Sequence, residues 1–336
     1  MTTAASKPFV IAIEEHYADA EINAAQQAAG GAGGGQAARS GLSNVLGRLT
    51  DLHGERIRDM DESGIDLQVL SHAPSVLQTL NAETSVELAI GANNRLHDEV
   101  AKRPDRFSAF ASLPSPDPQA AADELERAVT QLGFKGAMLH GRTHGVYHDD
   151  KQFWPIFERA EALDVPIYIH PGPPHPGMVE AFYGDYLQDF PWLNSAAWGY
   201  TIDTANQAMR MILSGLFEEF PKLTVILGHL GEGLPFLLDR MDEALNRGPT
   251  AIEFKKTFCD HFYVTTSGFF STPALLCTIL QVGIDRVLFS VDWPFVENAP
   301  GMKWMETVPL SAEDKEKMFN GNARRLLKMS LPRAGG

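Results

Sequence analysis

The sequence predicts a (β/α)₈ barrel, and two observations support this fold class. Short runs rich in β-branched and aromatic residues alternate with amphipathic stretches of helical period along most of the chain. Eight strand candidates separated by helices form a parallel sheet through right-handed crossovers, and such a sheet closes naturally into a barrel. An open doubly wound sheet would instead need a glycine-rich phosphate turn after its first strand. The chain has Glu14, Glu15 and His16 at that point, so the barrel is favoured.

The predicted elements alternate in a regular order. The strand candidates are residues 9–13, 67–71, 106–112, 136–139, 166–169, 223–227, 262–266 and 287–291. The helical patterns between them are residues 51–63, 85–102, 118–132, 152–163, 203–217, 234–246 and 273–282. Asp117 marks a capped helix start and Gly64 marks a helix end, as expected for residues of these types.

The composition is that of one globular unit, and we expect a single barrel domain over residues 1–336. Hydrophobic residues make up 44% of the chain and charged residues 21%, which is enough apolar mass for a large core. One segment differs from the rest, because residues 24–41 are small, polar and rich in glycine. We expect a mobile loop there, which is either an inert linker or a lid after the first strand.

The charge and cysteine content exclude several classes of protein. The net charge of −15 repels a phosphate backbone, so a nucleic-acid partner is not expected. Cys259 and Cys277 are the only cysteines, which excludes a disulfide framework and a cysteine-rich zinc site. The chain has no apolar run of about eighteen residues, so no membrane span is expected. The N-terminal residues do not form a signal peptide, and the expected location is the cytoplasm.

Residues able to bind a metal stand where the predicted strands end. In a barrel enzyme the active site lies at the carboxyl ends of the strands. Glu14 and His16 end the first strand and share one face of an extended chain. His170 ends the fifth strand and Asp292 the eighth. Carboxylate and imidazole ligands together suit zinc, manganese or iron(II), so the pattern predicts a metal site.

Two more histidines, His140 and His229, end the fourth and sixth strands, so that four of the eleven histidines stand at strand ends. A single histidine at such a position is more often structural than a ligand, but the joint pattern favours a functional site. By contrast, Arg56 and Arg58 lie in a helical pattern and are expected at the surface or in an interface.

Motifs along nearly the whole chain carry a family resemblance. They are IEEHYA at 13–18, RIRDMDESGID at 56–66, RPDRFSAFASLP at 103–114, YIHPGPP at 168–174, SGLFEEFPKLTVILGHLGEGLPFLLDRMD at 214–242, VTTSGFF at 264–270, DRVLFSVDWPF at 285–295 and GNARRLL at 321–327. In these motifs the chain resembles the amidohydrolase superfamily. The branch is that of the γ-resorcylate, 5-carboxyvanillate and aminocarboxymuconate semialdehyde decarboxylases.

The resemblance implies an amidohydrolase-type barrel with one divalent metal ion, Mn²⁺ or Zn²⁺. It implies that the metal ligands are Glu14, His16, His170 and Asp292. It also makes Asp292 the residue that handles the proton in catalysis.

The same resemblance assigns three further roles. His229 and Glu232 match a catalytic pair after the sixth strand, and Arg240 matches an arginine that positions the substrate. His140 stands where a binuclear hydrolase has a bridging lysine and where the close decarboxylases tend to have asparagine. We therefore predict one metal ion, and we assign His140 to substrate binding.

The predicted activity is the nonoxidative decarboxylation of an ortho-hydroxybenzoate, as in the γ-resorcylate type, to a phenol and CO₂. The partner molecule is then a small aromatic carboxylic acid, and the resemblance implies a homo-oligomer, either a dimer or a tetramer. One alternative is a metal-dependent hydrolase of a lactone or an amide on the same barrel. Another is a barrel that binds a metal or an aromatic acid without turning it over.

Overall fold

A computed structural model describes residues 8–29, 44–74 and 76–330 of the chain. Each of the eight predicted strand positions contains β-structure, which confirms the predicted order. The strands are β1 (Ile11–Tyr17), β2 (Leu67–His72), β3 in two pieces (Phe107–Ala109 and Ala111–Ser112), β4 (Ala137–His140), β5 (Ile167–His170), β6 (Val225–Leu227), β7 (Phe262–Thr265) and β8 (Val287–Leu288).

The pairing of these strands is parallel throughout, and each strand pairs with its neighbour along the chain. The first piece of β3 pairs with β2 and its second piece with β4. Phe110 separates the two pieces, and its backbone N–H still donates to the carbonyl of Leu70 at 2.9 Å. The break therefore bends the strand without interrupting the ring.

The ring closes between β8 and β1 through backbone hydrogen bonds from the residues that follow β8. The N–H of Asp292 donates to the carbonyl of Glu14 at 3.0 Å, and the N–H of His16 donates to the carbonyl of Trp293 at 2.7 Å. These bonds complete the (β/α)₈ barrel that the sequence predicts. They also place the end of β1 directly beside Asp292, where the metal site is expected.

Helices surround the barrel. The longer ones are Ala20–Ala28, Glu55–Ser63, Ala82–Lys102, Pro118–Thr130, Trp154–Leu163, Gly199–Leu213, Leu234–Leu245, Phe254–His261, Thr272–Val282 and Asn298–Thr307. Shorter ones are Val45–Thr50, Pro176–Phe182, Leu216–Glu219, Ala312–Glu316 and Asn322–Leu326, and single turns lie at Lys151–Phe153, Gly184–Tyr186, Pro191–Asn194, Ile284–Arg286 and Lys317–Gly321. In the part of the chain described here, no helix has the length and apolar content that crossing a membrane needs.

The helix Ala20–Ala28 corrects one prediction. The glycine-rich segment was expected to be a loop from residue 24, but residues 24–28 are helical. The side chain of Asp19 accepts hydrogen bonds from two backbone N–H groups of the first turn, and Ile22 is buried against Leu77 and Ala89. The cap and this contact outweigh the weak helical pattern of the sequence. Residues 30–41 of the predicted loop lie outside the described residues.

The apolar residues form two layers, as alternation along parallel strands requires. One set fills the barrel and includes Ile13, Phe110, Met138 and Ile226. The other set faces the helices and contains residues of both strands and helices. The barrel is therefore a packed core, and its carboxyl end is left for the functional residues.

Gly136 provides a test of the packing at the start of β4. Its φ is 138°, and a Cβ there would lie 2.2 Å from the carbonyl oxygen of Pro166. Gly133 has a φ of 74° but open space around it. We expect Gly133→Ala to cost roughly 1–2 kcal/mol of unfolding free energy from backbone strain alone. Gly136→Ala should cost about 1–3 kcal/mol more because of the clash. Equal urea midpoints for the two variants would contradict this packing.

Candidate metal centre

Four side chains from three parts of the barrel converge at its carboxyl end. Glu14, His16, His170 and Asp292 each offer a ligand atom, and these atoms lie within 4.8 Å of one another. Nε2 of His16 is 3.1 Å from Oδ1 of Asp292, and Nε2 of His170 is 3.2 Å from Oε1 of Glu14. The structure therefore brings together the four residues that the sequence proposes as metal ligands.

Both histidines are oriented by hydrogen bonds at the ring nitrogen that faces away from the site. Nδ1 of His170 donates to the carbonyl of Pro171 at 2.8 Å, and Nδ1 of His16 lies 3.3 Å from Oγ of Ser71. This leaves Nε2 of each ring to face the carboxylates, as in metal sites whose second ring nitrogen is held by the protein. Burial lowers the pKa of His16 to about 4, which keeps its ring in the neutral form that binds metals.

The two oxygens of Glu14 have different neighbours. Oε2 accepts hydrogen bonds from the hydroxyls of Tyr168 and Ser267, and the hydroxyl of Thr265 lies 3.3 Å away. Oε1 faces His170 in the site. The hydroxyls come from β5, from the end of β7 and from the residues just after it, so the barrel itself orients this carboxylate. One oxygen is thereby held by the protein and the other is left for a metal.

The arrangement fits a cation. Nε2 of His16 and Oδ1 of Asp292 face each other in the buried site, and neither makes a hydrogen bond. An acceptor nitrogen and a carboxylate oxygen repel each other unless a positive charge lies between them. Burial and the nearby Glu14 carboxylate raise the pKa of Asp292 to about 8, because a second negative charge is unfavourable in this buried site. A divalent ion bound by these oxygens and nitrogens would remove the repulsion between them.

The predicted pair His229 and Glu232 lies beside these four residues. Nδ1 of His229 is 2.8 Å from Oε1 of Glu232, and both residues follow β6. Burial alone lowers the pKa of His229, but the Glu232 carboxylate and the more distant Glu14 and Asp292 raise it to about 10. The ring is therefore a cation at neutral pH, and it lines the same cavity as Asp292.

The turn that carries this pair has an uncommon backbone. All five residues from His229 to Gly233 have positive φ, including 49° at His229 and 55° at Glu232. Left-handed conformations cost free energy for residues with a side chain, and they are concentrated at functional sites. The turn points the imidazole into the cavity and keeps Glu232 buried behind it.

A cavity of about 280 Å³ opens above the metal ligands. His170, Asp292 and His229 line its inner end. The cavity therefore gives a small molecule access to the metal ligands and to one positive charge.

Comparison with known proteins agrees with this geometry. Residues 37–329 match the amidohydrolase family model. The chain belongs to the amidohydrolase family. The γ-resorcylate decarboxylase of Polaromonas sp. (strain JS666) is 38% identical over 333 residues, which cover 95% of this chain and 98% of that one.

Two solved structures resemble this amidohydrolase closely. A dihydroxybenzoic acid decarboxylase from Polaromonas sp. JS666, with bound manganese and the inhibitor 2-nitroresorcinol, gives a TM-score of 0.85 at 38% identity and covers 96% of this chain and 97% of that one. A 5-carboxyvanillate decarboxylase from Novosphingobium aromaticivorans DSM 12444, with manganese and 4-hydroxy-3-methoxy-5-nitrobenzoic acid, gives 0.88 at 31% identity and covers 98% of each chain. The manganese in both agrees with the donor set described above.

Two predicted substrate residues of this amidohydrolase do not line the cavity. His140 is buried with its ring centre 4.9 Å from that of His170, and burial lowers its pKa well below the usual range. Arg240 lies exposed on the helix Leu234–Leu245. Nothing in the geometry of one chain supports substrate contact by either residue, and their assignment stays a prediction.

Arg56 is a structural residue that the sequence placed wrongly. It was expected at the surface or in an interface, but it is fully buried under the site within a single chain. Its guanidinium donates to the carbonyl of His16 and to Gln68, and it stacks 4.0 Å from the ring centre of Trp293. Since Trp293 follows Asp292, Arg56 supports ligands from both ends of the chain. Helical periodicity could not show this, because a buried arginine has the same spacing as an exposed one.

His72 was missed, although its position gave a signal. It ends β2 and lines the cavity. Its Nδ1 donates to the carbonyl of Ala73 at 2.6 Å, and its Nε2 accepts from the N–H of Asp19 at 2.9 Å. Both nitrogens are thus used to hold the cavity wall. The rule that pointed to the other strand-end histidines would have found it.

Removing one proposed ligand should release the metal. We expect His170→Ala to weaken Mn²⁺ binding by at least about 100-fold, because even a residue that only supports a ligand commonly contributes 10–100-fold. Equilibrium dialysis with metal analysis measures this. His53→Ala is the matched control, since His53 is partly exposed and pairs with Glu99 away from the site. Equal metal content in the two variants would remove His170 from the ligand set.

Proposed function

We propose that this amidohydrolase removes the carboxylate of an ortho-hydroxybenzoate as CO₂ and releases the corresponding phenol. The observation that carries the proposal is the convergence of Glu14, His16, His170 and Asp292 at the inner end of a cavity. The likeness to γ-resorcylate decarboxylases over nearly the full length of both chains supports this reaction class.

The ligand set fits one divalent ion, which supplies a Lewis acid for the substrate carboxylate and the adjacent hydroxyl oxygen. The protein contributes the surroundings. Tyr168 and Ser267 fix the orientation of Glu14. His229, whose pKa is raised to about 10, lines the cavity, and its positive charge attracts the carboxylate anion that predominates at neutral pH.

Asp292 is the proposed proton donor. It is the most exposed of the four proposed ligands, with 17% of its side chain accessible, and it lines the cavity. Its proton goes to the ring carbon that bears the carboxylate, which interrupts the aromatic system. The electrons of the carbon–carbon bond then return to the ring as CO₂ leaves. One proton is consumed in each turnover, and Asp292 regains it from solvent in the cavity.

The hydrolase alternative is weaker. A binuclear site would need a lysine at the end of β4, but that strand ends at His140, and Lys135 lies before its first residue.

For assembly, we propose a homodimer or homotetramer, as the family resemblance implies. Light scattering on the protein as it elutes from a sizing column measures the oligomeric state directly. Arg240 and His140 stay proposed substrate residues.

The test is turnover of 2,6-dihydroxybenzoate by the metal-loaded protein and its Asp292→Asn variant. We expect the wild type to release CO₂ and the phenolic product. The variant should lose about 10²- to 10⁴-fold in kcat, as is typical when a general acid is removed. Binding of 2-nitroresorcinol should persist where metal is retained, which separates chemistry from folding.

Asp260→Asn is the matched control. Asp260 is exposed, pairs with Lys256 on the helix Phe254–His261 and does not line the cavity. It should retain wild-type turnover. If Asp292→Asn kept more than a tenth of the wild-type rate at equal metal content, Asp292 would not be the proton donor. Absence of any product from the wild type, with hydrolysis of lactones or amides instead, would favour the hydrolase.

A further inference from the structure

The cavity lining includes an apolar wall built from three parts of the chain. We use this name for Val45, Leu46, Leu49, Ala73 and Phe295, all of which line the cavity. Val45, Leu49 and Ala73 pack together in one cluster, and Phe295 packs against it. The wall follows β1, β2 and β8, so it stands next to the strand ends that carry Glu14, His16 and Asp292.

The segment after β5 also contributes to the cavity lining. Trp192, Ala196 and Tyr200 line the cavity there, together with the hydroxyl residues Ser195 and Thr201. An aromatic ring bound at the metal ligands would therefore lie in a cavity lined by aliphatic and aromatic side chains. This is the environment that flat aromatic ligands prefer.

The charged groups of the cavity are confined to its inner end. Beyond the metal ligands and His229, the polar lining consists of amides and hydroxyls such as Asn23, Gln26 and Thr201. His72 is neutral, because burial lowers its pKa to about 4. Within residues 8–29, 44–74 and 76–330, no lysine or arginine lines the cavity. A second carboxylate on the substrate would lose hydration at the apolar wall, where none of the lysines and arginines that the structure describes is placed to pair with it.

Building on the proposed function, we infer that the substrate is a hydroxybenzoate with a single carboxylate and an apolar ring substituent, such as an alkyl group, that packs on the apolar wall. The inference selects within the reaction class, because relatives of this amidohydrolase include decarboxylases of both monocarboxylates and dicarboxylates by name. Burying one methyl group should raise affinity roughly fourfold.

The test compares matched substrates with the metal-loaded protein. The parent is 2,6-dihydroxybenzoate, whose ring has two distinct open positions. Each position receives either a methyl group or a second carboxylate, and kcat/KM is measured for all five compounds. We expect at least one methyl compound to exceed the parent in kcat/KM, by roughly fourfold. Its dicarboxylate counterpart should fall more than tenfold below it.

The inference is overturned if neither methyl compound exceeds the parent, or if a dicarboxylate reacts within tenfold of its methyl counterpart. In either case the parent still reacts, and the proposed function stands. If no compound releases CO₂, the proposed function fails, and this inference fails with it.

A variant tests the wall directly. Leu46 lines the cavity and is 43% exposed, so Leu46→Arg places a cation at the wall without opening a core. We expect it to reduce the discrimination against the dicarboxylate at least tenfold. Leu213→Arg is the matched control, because Leu213 is 46% exposed and ends the helix Gly199–Leu213 outside the cavity lining. A smaller reduction, or the same change in both variants, would show that the wall does not set this preference.

Discussion

Glu14 is a fully buried carboxylate, and much of the site depends on how its charge is balanced. Burial by itself raises the pKa of this group, but the neighbouring His170 and the charge of His229 lower it to about 2. Hydroxyls from β5 and from the end of β7 hold its other oxygen. An ionised carboxylate in such a place needs a positive partner on its free side. The metal ligands, the imidazolium of His229 and the hydroxyls around Glu14 therefore form one unit that balances this charge.

The closure of the barrel aligns this unit. Backbone hydrogen bonds join Glu14 to Asp292 and His16 to Trp293, so the first and last strands position each other's ligands. Arg56 lies beneath and contacts both His16 and Trp293. Substrate chemistry at the carboxyl end therefore rests on contacts between residues nearly three hundred positions apart. The apolar wall follows β1, β2 and β8, two of which carry metal ligands. The inferred preference for an apolar ring substituent therefore depends on the same strands as the metal site.

Much of this could be predicted from sequence, and the limits have physical causes. The eight strands and the four ligands are local patterns, because a polar residue directly after an apolar β-rich run must stand at a strand end. The hydroxyls around Glu14 and the burial of Arg56 depend on which strands meet in space, which periodicity does not encode. The helix at residues 20–28 was missed because its apolar face is narrow. Its first turn is stabilised by the N-cap residue Asp19 rather than by a hydrophobic pattern. Arg240 was assigned from a motif match and lies exposed on the helix Leu234–Leu245, so its role at the substrate stays a prediction.

The central claim is that one divalent ion, held by these four residues, is required for decarboxylation. The most direct measurement is titration of metal-stripped protein with Mn²⁺, with bound metal and CO₂ release from 2,6-dihydroxybenzoate followed in the same samples. The account predicts no activity without metal, a rate that rises in proportion to occupancy, and saturation at about one ion per chain. Full activity in the stripped protein, or saturation only at two ions per chain, would contradict it.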